Sequence, residues 1–170
     1  MAELGAYGIT VDLPAHWDGI IFRRTPHGAS PPSGSGDVGV AAFDEGVVKP
    51  VAHLANFPLP GDRGDYGSGA VERMGPGDVL VCVLEFDEAS ADTKLFAHEG
   101  VPRLRPGSYA PNAMQRTIPG MSGAQAFFRV GRRAFCIYSV LGSHRDRVAL
   151  TPLVNDLLAS LRISDTETSG

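Results

Sequence analysis

Two β-rich runs in the second half of the chain constrain its fold more than any other feature. Residues 125–130 and 133–141 are separated only by Gly131 and Arg132. Runs of this length around a glycine-containing turn indicate an antiparallel hairpin. The second run is apolar at successive positions, so both of its faces must be buried. We therefore expect it to lie centrally in a sheet that is covered on both sides.

Five shorter runs predict the remaining strands, because each is alternating or apolar and is bounded by turn-forming residues. They lie at residues 7–13, 18–24, 38–43, 51–57 and 79–86. Pro14 ends the first of them, since proline lacks a backbone donor for the ladder. The connection to the next strand is only four residues long, which predicts that these two strands form a hairpin-like pair.

The segments between the strands have the composition of loops and turns. Residues 25–37 and 61–69 are dense in turn-forming residues such as Gly, Ser, Pro and Asp, which is typical of surface loops. Asp, Glu and Gly at residues 44–46 predict a turn. Several prolines in residues 101–122 predict mostly irregular structure there.

Two short helices are predicted within these connections. The first covers residues 69–74, with Ser68 as its cap and the Gly-Pro pair at residues 75–76 as its stop. The second covers residues 90–98 and ends before Gly100.

The longest predicted helix closes the chain, because apolar side chains recur there at three- and four-residue steps. These side chains are Leu150, Leu153, Val154, Leu157, Leu158 and Leu161. Asn155 falls away from this stripe and is expected to face solvent. Pro152 is unfavourable in a helix interior but suits the first turn, which predicts Thr151 as the N-cap, with residues 145–150 as a preceding turn or a kinked extension of the helix.

Strands outnumber helices in this pattern and are joined mostly by turns, so the predicted class is α+β. We expect an antiparallel sheet with the C-terminal amphipathic helix packed on one face. The chain has 170 residues, of which 43% are hydrophobic, and this is enough to bury a core without a metal or disulfide. We predict one domain over residues 1–163 and a frayed polar tail over residues 164–170.

Charge and hydropathy exclude several classes of protein. The net charge of −4 argues against a dedicated nucleic-acid binder. The amino terminus lacks the basic and apolar regions of a signal peptide, and the apolar run at 79–86 is too short to cross a bilayer. We therefore expect a cytoplasmic protein that does not associate with membranes, with Cys82 and Cys136 as buried thiols rather than a disulfide.

Catalytic and metal-binding motifs are incomplete throughout the chain. The glycines around Ser68 are adjacent to it, whereas a hydrolase elbow places them one residue further away, and no lysine follows a glycine as in a P-loop. The histidines form no local pair of the kind that binds zinc. They are His16, His27, His53, His98 and His144. We predict no catalytic, cofactor-binding or metal site.

Three residues remain as candidates if the protein is an enzyme: His53, Glu85 and His98. Glu85 ends an apolar strand, where a buried carboxyl group would have a raised pKa and could act as a general acid or base. Such a role would need a spatial partner, for which His53 is the candidate. Alternatively, the strand emerges into solvent at Glu85, as the following Asp87 and Glu88 indicate, and His53 is a histidine at the edge of the core.

Arginines cluster at two places in the second half of the chain. Arg129, Arg132 and Arg133 surround the predicted hairpin turn, whereas Arg145 and Arg147 precede the last helix. They form either a basic patch for a phosphate or an acidic partner, or solvated turns.

The two ends of the chain resemble a known family. Residues 8–17 read Gly-Ile-Thr-Val-Asp-Leu-Pro-Ala-His-Trp, which is similar to the opening strand and Pro-x-x-Trp turn of PsbP-like domains and their bacterial relatives. Residues 157–163 are similar to their closing helix and short final strand. The resemblance covers roughly residues 7–24 and 150–163. It implies an antiparallel sheet flanked by helices.

The resemblance also implies a kind of function. Relatives of this fold include photosystem accessory subunits, a Ran-binding import factor and bacterial chaperones that hold secreted effectors. Most of these proteins bind partners rather than catalyse reactions. A partner-binding role without a cofactor is what the resemblance implies here.

The sequence therefore leaves three possible functions. The first is a non-catalytic protein-binding, adaptor or chaperone-like module, with residues 54–59 either exposed as an apolar patch or completing a core strand. The second is a small enzyme that uses His53, Glu85 and His98. The third is a structural subunit that self-associates into a homo-oligomer through an edge strand or an open sheet face.

Overall fold

The computed structural model describes residues 1–24 and 48–166. The loop, strand and turn that we predicted within residues 25–46 lie outside the described residues. The last four residues of the predicted tail also lie outside them.

Within the described residues, the chain forms eight strands and one α-helix. In chain order they are β1 (Ala2–Ala6), β2 (Ile9–Leu13), β3 (Asp18–Arg23), β4 (Pro50–Ala55), β5 (Val79–Phe86), β6 (Ser122–Val130), β7 (Arg133–Leu141), α1 (Arg147–Ser160) and β8 (Arg162–Ile163).

The larger of two sheets contains five strands in the order β3-β4-β5-β7-β6, and every neighbouring pair is antiparallel. The predicted hairpin is confirmed as β6 and β7, with Val130 opposite Arg133 across the turn. The predicted strand at residues 79–86 is confirmed as β5. Strand β7 lies inside the sheet and is buried along its whole length, as its continuous apolar sequence predicts.

Side chains of β5 alternate between two separate apolar cores, one on each face of the larger sheet. Val79, Val81 and Val83 face one core, together with the apolar side of α1 and the smaller sheet. Leu80 and Cys82 face the other core, which is closed by residues from the connecting segments. The α+β class and the packing of the helix on one face are thus confirmed.

The smaller sheet joins both ends of the described chain in the order β1-β2-β8. The sequence analysis missed β1, because its residues are not typical of strands. Tyr7 and Gly8 form the tight turn to β2, and both have positive φ angles of 54° and 75°. Such a turn matches the twist of a hairpin. A Cβ atom at Gly8 would also lie 2.6 Å from a guanidinium nitrogen of Arg133, so only glycine fits.

The predicted pairing of the first two strands is wrong. Strand β2 pairs with β1 and β8, whereas β3 pairs with β4 in the larger sheet. Pro14 and Trp17 form the predicted turn, in which the Trp17 N–H donates to the Pro14 carbonyl at 3.1 Å. This turn passes the chain from one sheet to the other, and it does not close a hairpin. Trp17 is half-buried against the core on the helix side.

Helix α1 begins earlier than predicted. Its first backbone bonds run to the Asp146 carbonyl, so Thr151 and Pro152 lie inside the helix. Thr151 does not cap the helix, because its hydroxyl donates to the Arg147 carbonyl at 2.5 Å. Pro152 has no N–H, so the Val148 carbonyl lacks the usual helical donor. This gap lies on the exposed side of the helix.

The predicted apolar stripe of α1 is largely confirmed, with two exceptions. The buried members are Leu150, Val154, Leu157, Leu158 and Leu161. Leu153, which we expected to face the core, is 40% exposed. Asn155, which we expected to face solvent, is buried because the chain between β5 and β6 passes over it.

The short predicted helices are replaced by single 3-10 turns. Val71–Arg73 is capped by Ala70 rather than Ser68, and Glu88–Asp92 and Lys94–Phe96 replace the helix predicted at residues 90–98. The predicted irregular structure of residues 101–122 is confirmed except at Ser122, which begins β6, and apart from an isolated bridge at Ala110 and two further 3-10 turns. None of the described helices is long and apolar enough to cross a membrane.

Candidate functional site

Glu85 is buried in an ion pair with Arg133. The two side chains are 2% and 5% exposed, and two bonds join them: Nε to Oε2 at 3.1 Å and Nη2 to Oε1 at 2.6 Å. The β5–β7 register explains this contact, because Glu85 lies opposite Phe135 and Arg133 lies two residues further along the same face. The expectation that the strand emerges into solvent at Glu85 is wrong.

Arg133 also connects the larger sheet to the smaller one. Its guanidinium donates to the carbonyl of Tyr7 at 2.9 Å and to the carbonyl of Ser164 at 3.1 Å. Lys49 Nζ lies 3.8 Å from Glu85 on the other side. The carboxylate therefore faces two cations, and the geometry is that of a structural junction between the sheets.

His53 is fully buried, and both of its ring nitrogens are occupied. Arg63 Nε donates to Nδ1 at 3.0 Å, so Nδ1 carries no proton, and Nε2 donates to the Asp65 carbonyl at 2.8 Å. Burial lowers the pKa of His53, and the nearby Arg63 charge acts in the same direction. The ring is thus a neutral anchor for the loop that contains Arg63 and Asp65.

The structure separates the three candidate catalytic residues. His53 lies opposite Cys82 and faces the core away from α1, whereas Glu85 faces the core on the helix side. His98 is exposed beside β6, and β5 and β7 lie between β6 and the strand of His53. The proposed His53–Glu85 pair is therefore wrong, and the three side chains share no site.

Cys82 and Cys136 lie on neighbouring strands but remain free thiols. Cys82 is opposite Tyr138 and Cys136 is opposite Leu84, so the two cysteines are diagonal neighbours on the face away from α1. Burial raises the pKa of Cys82 and raises that of Cys136 to about 12. Thiols with raised pKa values are poor nucleophiles and poor metal ligands at neutral pH.

The described part of the chain does not form two of the binding surfaces that the sequence suggested, an apolar patch and a basic patch. Leu54 and Phe57 are buried in different cores, and Leu59 is half-buried against the core that contains Phe57, so residues 54–59 do not form an exposed apolar patch. The hairpin arginines do not form a free patch either, because each one has an acidic partner. The pairs are Arg129–Glu99, Arg132–Glu88 and Arg133–Glu85.

A groove of about 530 Å³ lies between α1 and the chain that connects β5 to β6. We call it the α1 groove. Its charged, proline and valine lining residues are Arg103, Arg105, Pro106, Val148, Pro152 and Asp156. Val148 is 69% exposed, the largest exposure of any large hydrophobic side chain of the described residues after Met1. Val148 thus places an exposed apolar side chain in the same groove as two arginines.

Asn155 fixes the far wall of the α1 groove. Its Oδ1 accepts the Leu104 N–H at 2.9 Å, and its Nδ2 donates to the Leu104 carbonyl at 2.8 Å. The side-chain amide thus pairs with the backbone as a neighbouring strand would. Leu104 is buried, so Arg103 and Arg105, its exposed neighbours in the chain, are held on a rigid segment.

No metal-binding cluster accompanies the groove. Residues 1–24 and 48–166 contain no group of three or more His, Cys, Asp or Glu side chains placed to hold a metal ion. The groove has one carboxylate, Asp156, and the amide of Asn155 is already satisfied by Leu104. The chemistry of the α1 groove suits the binding of a surface that carries both apolar and charged side chains.

A signal in the sequence could have found this groove. Residues 100–145 contain seven arginines and no Asp or Glu, although the whole chain is acidic. Three of these arginines are the paired residues around the hairpin turn. Arg103 and Arg105 have no acidic partner among the residues that the structure describes.

Comparison of the chain with protein-family models, with curated proteins and with solved structures finds no significant match.

Proposed function

We propose that the protein is a non-catalytic protein-binding module of the adaptor or chaperone type, and that it binds its partner in the α1 groove. The single observation that carries this proposal is Val148, which is 69% exposed beside a rigid, charged wall. Arginine is enriched in protein interfaces, and the buried centre of an interface is more apolar than the rest of the surface.

The alternative of a small enzyme has less support. His53 and Glu85 are each bound in contacts that hold the fold together, on opposite faces of one sheet. The similarity of residues 8–17 and 157–163 to PsbP-like domains supports binding, since binding is what that resemblance implies. The free buried thiols of Cys82 and Cys136 agree with a cytoplasmic location, which we include in the proposal.

Site-specific photo-crosslinking in the native host tests this proposal. A benzophenone amino acid at Val148 is expected to give a discrete adduct with a partner protein. The matched control places the same group at Leu95, which is 58% exposed next to β6. The partner is then identified by mass spectrometry, purified and titrated against the full chain.

In that titration, Val148→Asp is expected to weaken binding by about tenfold or more, and Leu95→Asp by about twofold or less. Both variants should keep the melting temperature of the parent, because both sites are exposed. The proposal is wrong if no adduct forms at Val148, or if both substitutions weaken binding equally. A Val148 adduct with a second copy of this chain would instead support the self-associating subunit.

A further inference from the structure

We propose that the partner segment bound in the α1 groove is an extended peptide in which acidic residues alternate with apolar ones. This inference rests on the proposed function and adds the chemistry of the ligand. It is carried by three features of the groove: the spacing of two arginines, their lack of acidic partners, and the apolar floor beside them.

The arginine spacing follows from the backbone. Arg105 has extended angles of φ −114° and ψ 152°, and Asn155 holds the preceding Leu104 as a strand partner would. In extended chain, alternate side chains point to the same side. Because Leu104 points into the core, Arg103 and Arg105 both point outward, with Cα atoms roughly 6.6 Å apart. Alternate residues of an extended peptide have the same spacing.

The charges of the groove favour an acidic ligand. Arg103 and Arg105 are exposed and have no acidic partner within the described part of the chain. Guanidinium groups bind carboxylates through two parallel hydrogen bonds, so each arginine offers a directional contact. These contacts are solvent-exposed and should therefore contribute mainly to specificity and to the association rate.

The floor of the groove favours apolar residues between the acidic ones. Val148 and Pro152 are one helical turn apart on the same face of α1, and Pro106 lies across from them. Pro152 lacks an N–H, so the Val148 carbonyl remains without its helical donor beside this floor and can accept a hydrogen bond from a peptide N–H. The side chains that lie between the acidic residues of the peptide would be buried here.

Asp156 places a carboxylate in the lining of the groove, and this carboxylate repels any anionic ligand, whether an acidic peptide or a phosphate backbone. The chain also has a net charge of −4, whereas nucleic-acid binding usually needs a broad basic surface. For an acidic peptide, Asp156→Asn should remove this repulsion and tighten binding.

Fluorescence anisotropy of the full chain tests the inference. The probe is a labelled peptide of about twelve residues in which Asp alternates with Leu, and two comparison probes are its Asp→Asn analogue and a single-stranded oligonucleotide of equal charge. Arg103→Glu/Arg105→Glu is compared with Arg73→Glu/Arg116→Glu, which makes the same change in net charge. The residues next to Arg73 and Arg116 contact the core on the face away from α1.

We expect the acidic peptide to bind and the Asn analogue to bind about tenfold more weakly. The groove double variant should weaken binding by about tenfold, the control double variant by about twofold or less, and higher salt should weaken binding to the parent. The Gln version of the groove variant should give an intermediate loss. This second variant keeps the test valid if Glu substitution perturbs the fold.

The inference is wrong if the two double variants weaken binding equally, if the Asn analogue binds as well as the acidic peptide, or if the oligonucleotide binds more tightly than the peptide. It is also wrong if Asp156→Asn weakens binding. If the acidic peptide does not bind but the Val148 crosslink still forms, the acidic ligand is wrong and the proposed binding function stands. Failure of both would overturn the two proposals together.

Discussion

At the start of β7, the Arg133 side chain reaches acceptors in three distant parts of the chain. It binds both oxygens of Glu85 and the carbonyls of Tyr7 and Ser164. Transfer of two charges from water is unfavourable, and their attraction offsets this only when the remaining donors are also satisfied. The Arg133 donors are satisfied by these acceptors. Removal of either Glu85 or Arg133 should therefore leave the other charge buried without an opposite charge.

Glu85→Ala is therefore expected to lower the free energy of unfolding by about 3–5 kcal/mol, since the Arg133 charge would remain buried alone. Urea unfolding of the purified protein measures this change. The matched control is Glu88→Ala, which breaks the exposed pair with Arg132 and should cost about 0–1 kcal/mol. Equal losses in the two variants would show that the buried junction has no special role.

His53 makes stability depend on pH in a defined direction. Its pKa is lowered by burial in the folded state, so below about pH 6.5 the unfolded chain binds more protons than the folded one. Stability should therefore fall as the pH drops from about 7 toward 5. Arg63 and Asp65 are the charged groups next to the ring, and Arg24 pairs with Asp65 at 3.6 Å.

Replacement of His53 by Gln removes this titration and keeps a donor for the Asp65 carbonyl. We expect the dependence of unfolding free energy on pH between about 5 and 7 to become shallower in this variant. His98→Gln, at an exposed position, is the control for the loss of a histidine side chain. Parallel urea titrations at several pH values measure both, and an unchanged slope in His53→Gln would contradict the assignment.

On the scale of elements, α1 is held to the rest of the chain by polar as well as apolar contacts. Its buried leucines pack on the larger sheet, and Asn155 fixes the Leu104 backbone. The two Asn155 bonds satisfy a buried N–H and a buried carbonyl at once. Without them, both backbone groups of Leu104 would lack a protein partner in a buried position.

Asn155→Leu keeps the side-chain volume and removes both bonds. We expect a loss of about 2–4 kcal/mol in the free energy of unfolding and faster exchange of the Leu104 amide proton. Hydrogen exchange followed by NMR tests the second effect directly. Asp156→Asn, at the next position of α1, is the control and should leave the Leu104 amide protected. Unchanged exchange in Asn155→Leu would contradict the role of the amide.

On the scale of the whole molecule, the two cysteines report on opening of the larger sheet. Cys82 and Cys136 lie on β5 and β7, two of its three inner strands, and each is at most 1% exposed. A reagent can reach them only when these strands separate. Their reaction rate should therefore follow global unfolding rather than local motion.

We expect both native thiols to react with a disulfide reagent far more slowly than a cysteine introduced at Leu95, which is 58% exposed. Glu85→Ala should accelerate the native thiols, because it raises the population of the open state. Absorbance of the released thiol measures both rates. Rapid reaction of Cys82 or Cys136 in the stable parent would show that the sheet opens locally.

Sequence analysis identified the elements whose signal is local. Strand β5, the β6–β7 hairpin and the leucine-lined helix each carry their pattern within about twenty residues or fewer, so their existence was predictable. The pairing of β3 with β4 was not, because it joins residues on either side of residues 25–47. Strand β1 was missed because Ala2–Ala6 owes its structure to β2, not to its own residues.

The candidate site was harder to predict, because its contacts join residues far apart in sequence. The alternation along β5 correctly placed Glu85 on the face of Val79, but its burial depends on Arg133, 48 residues away. Asn155 was assigned to the polar side of α1 because nothing local shows that Leu104 covers it. Periodicity describes the faces of a single element and gives no information about which distant segments pack against that element.

The register of β2 has a consequence for synthesis on the ribosome. Ile9 and Thr10 pair with Ile163 and Arg162, so this ladder forms only after almost all of the intervening polypeptide has been translated. At roughly 5–20 residues per second, the first hairpin waits about eight to thirty seconds for that strand. During this time Val11 and its apolar neighbours lack the cover that α1 later provides. Translation speed thus determines how long the nascent chain exposes this apolar surface to other molecules.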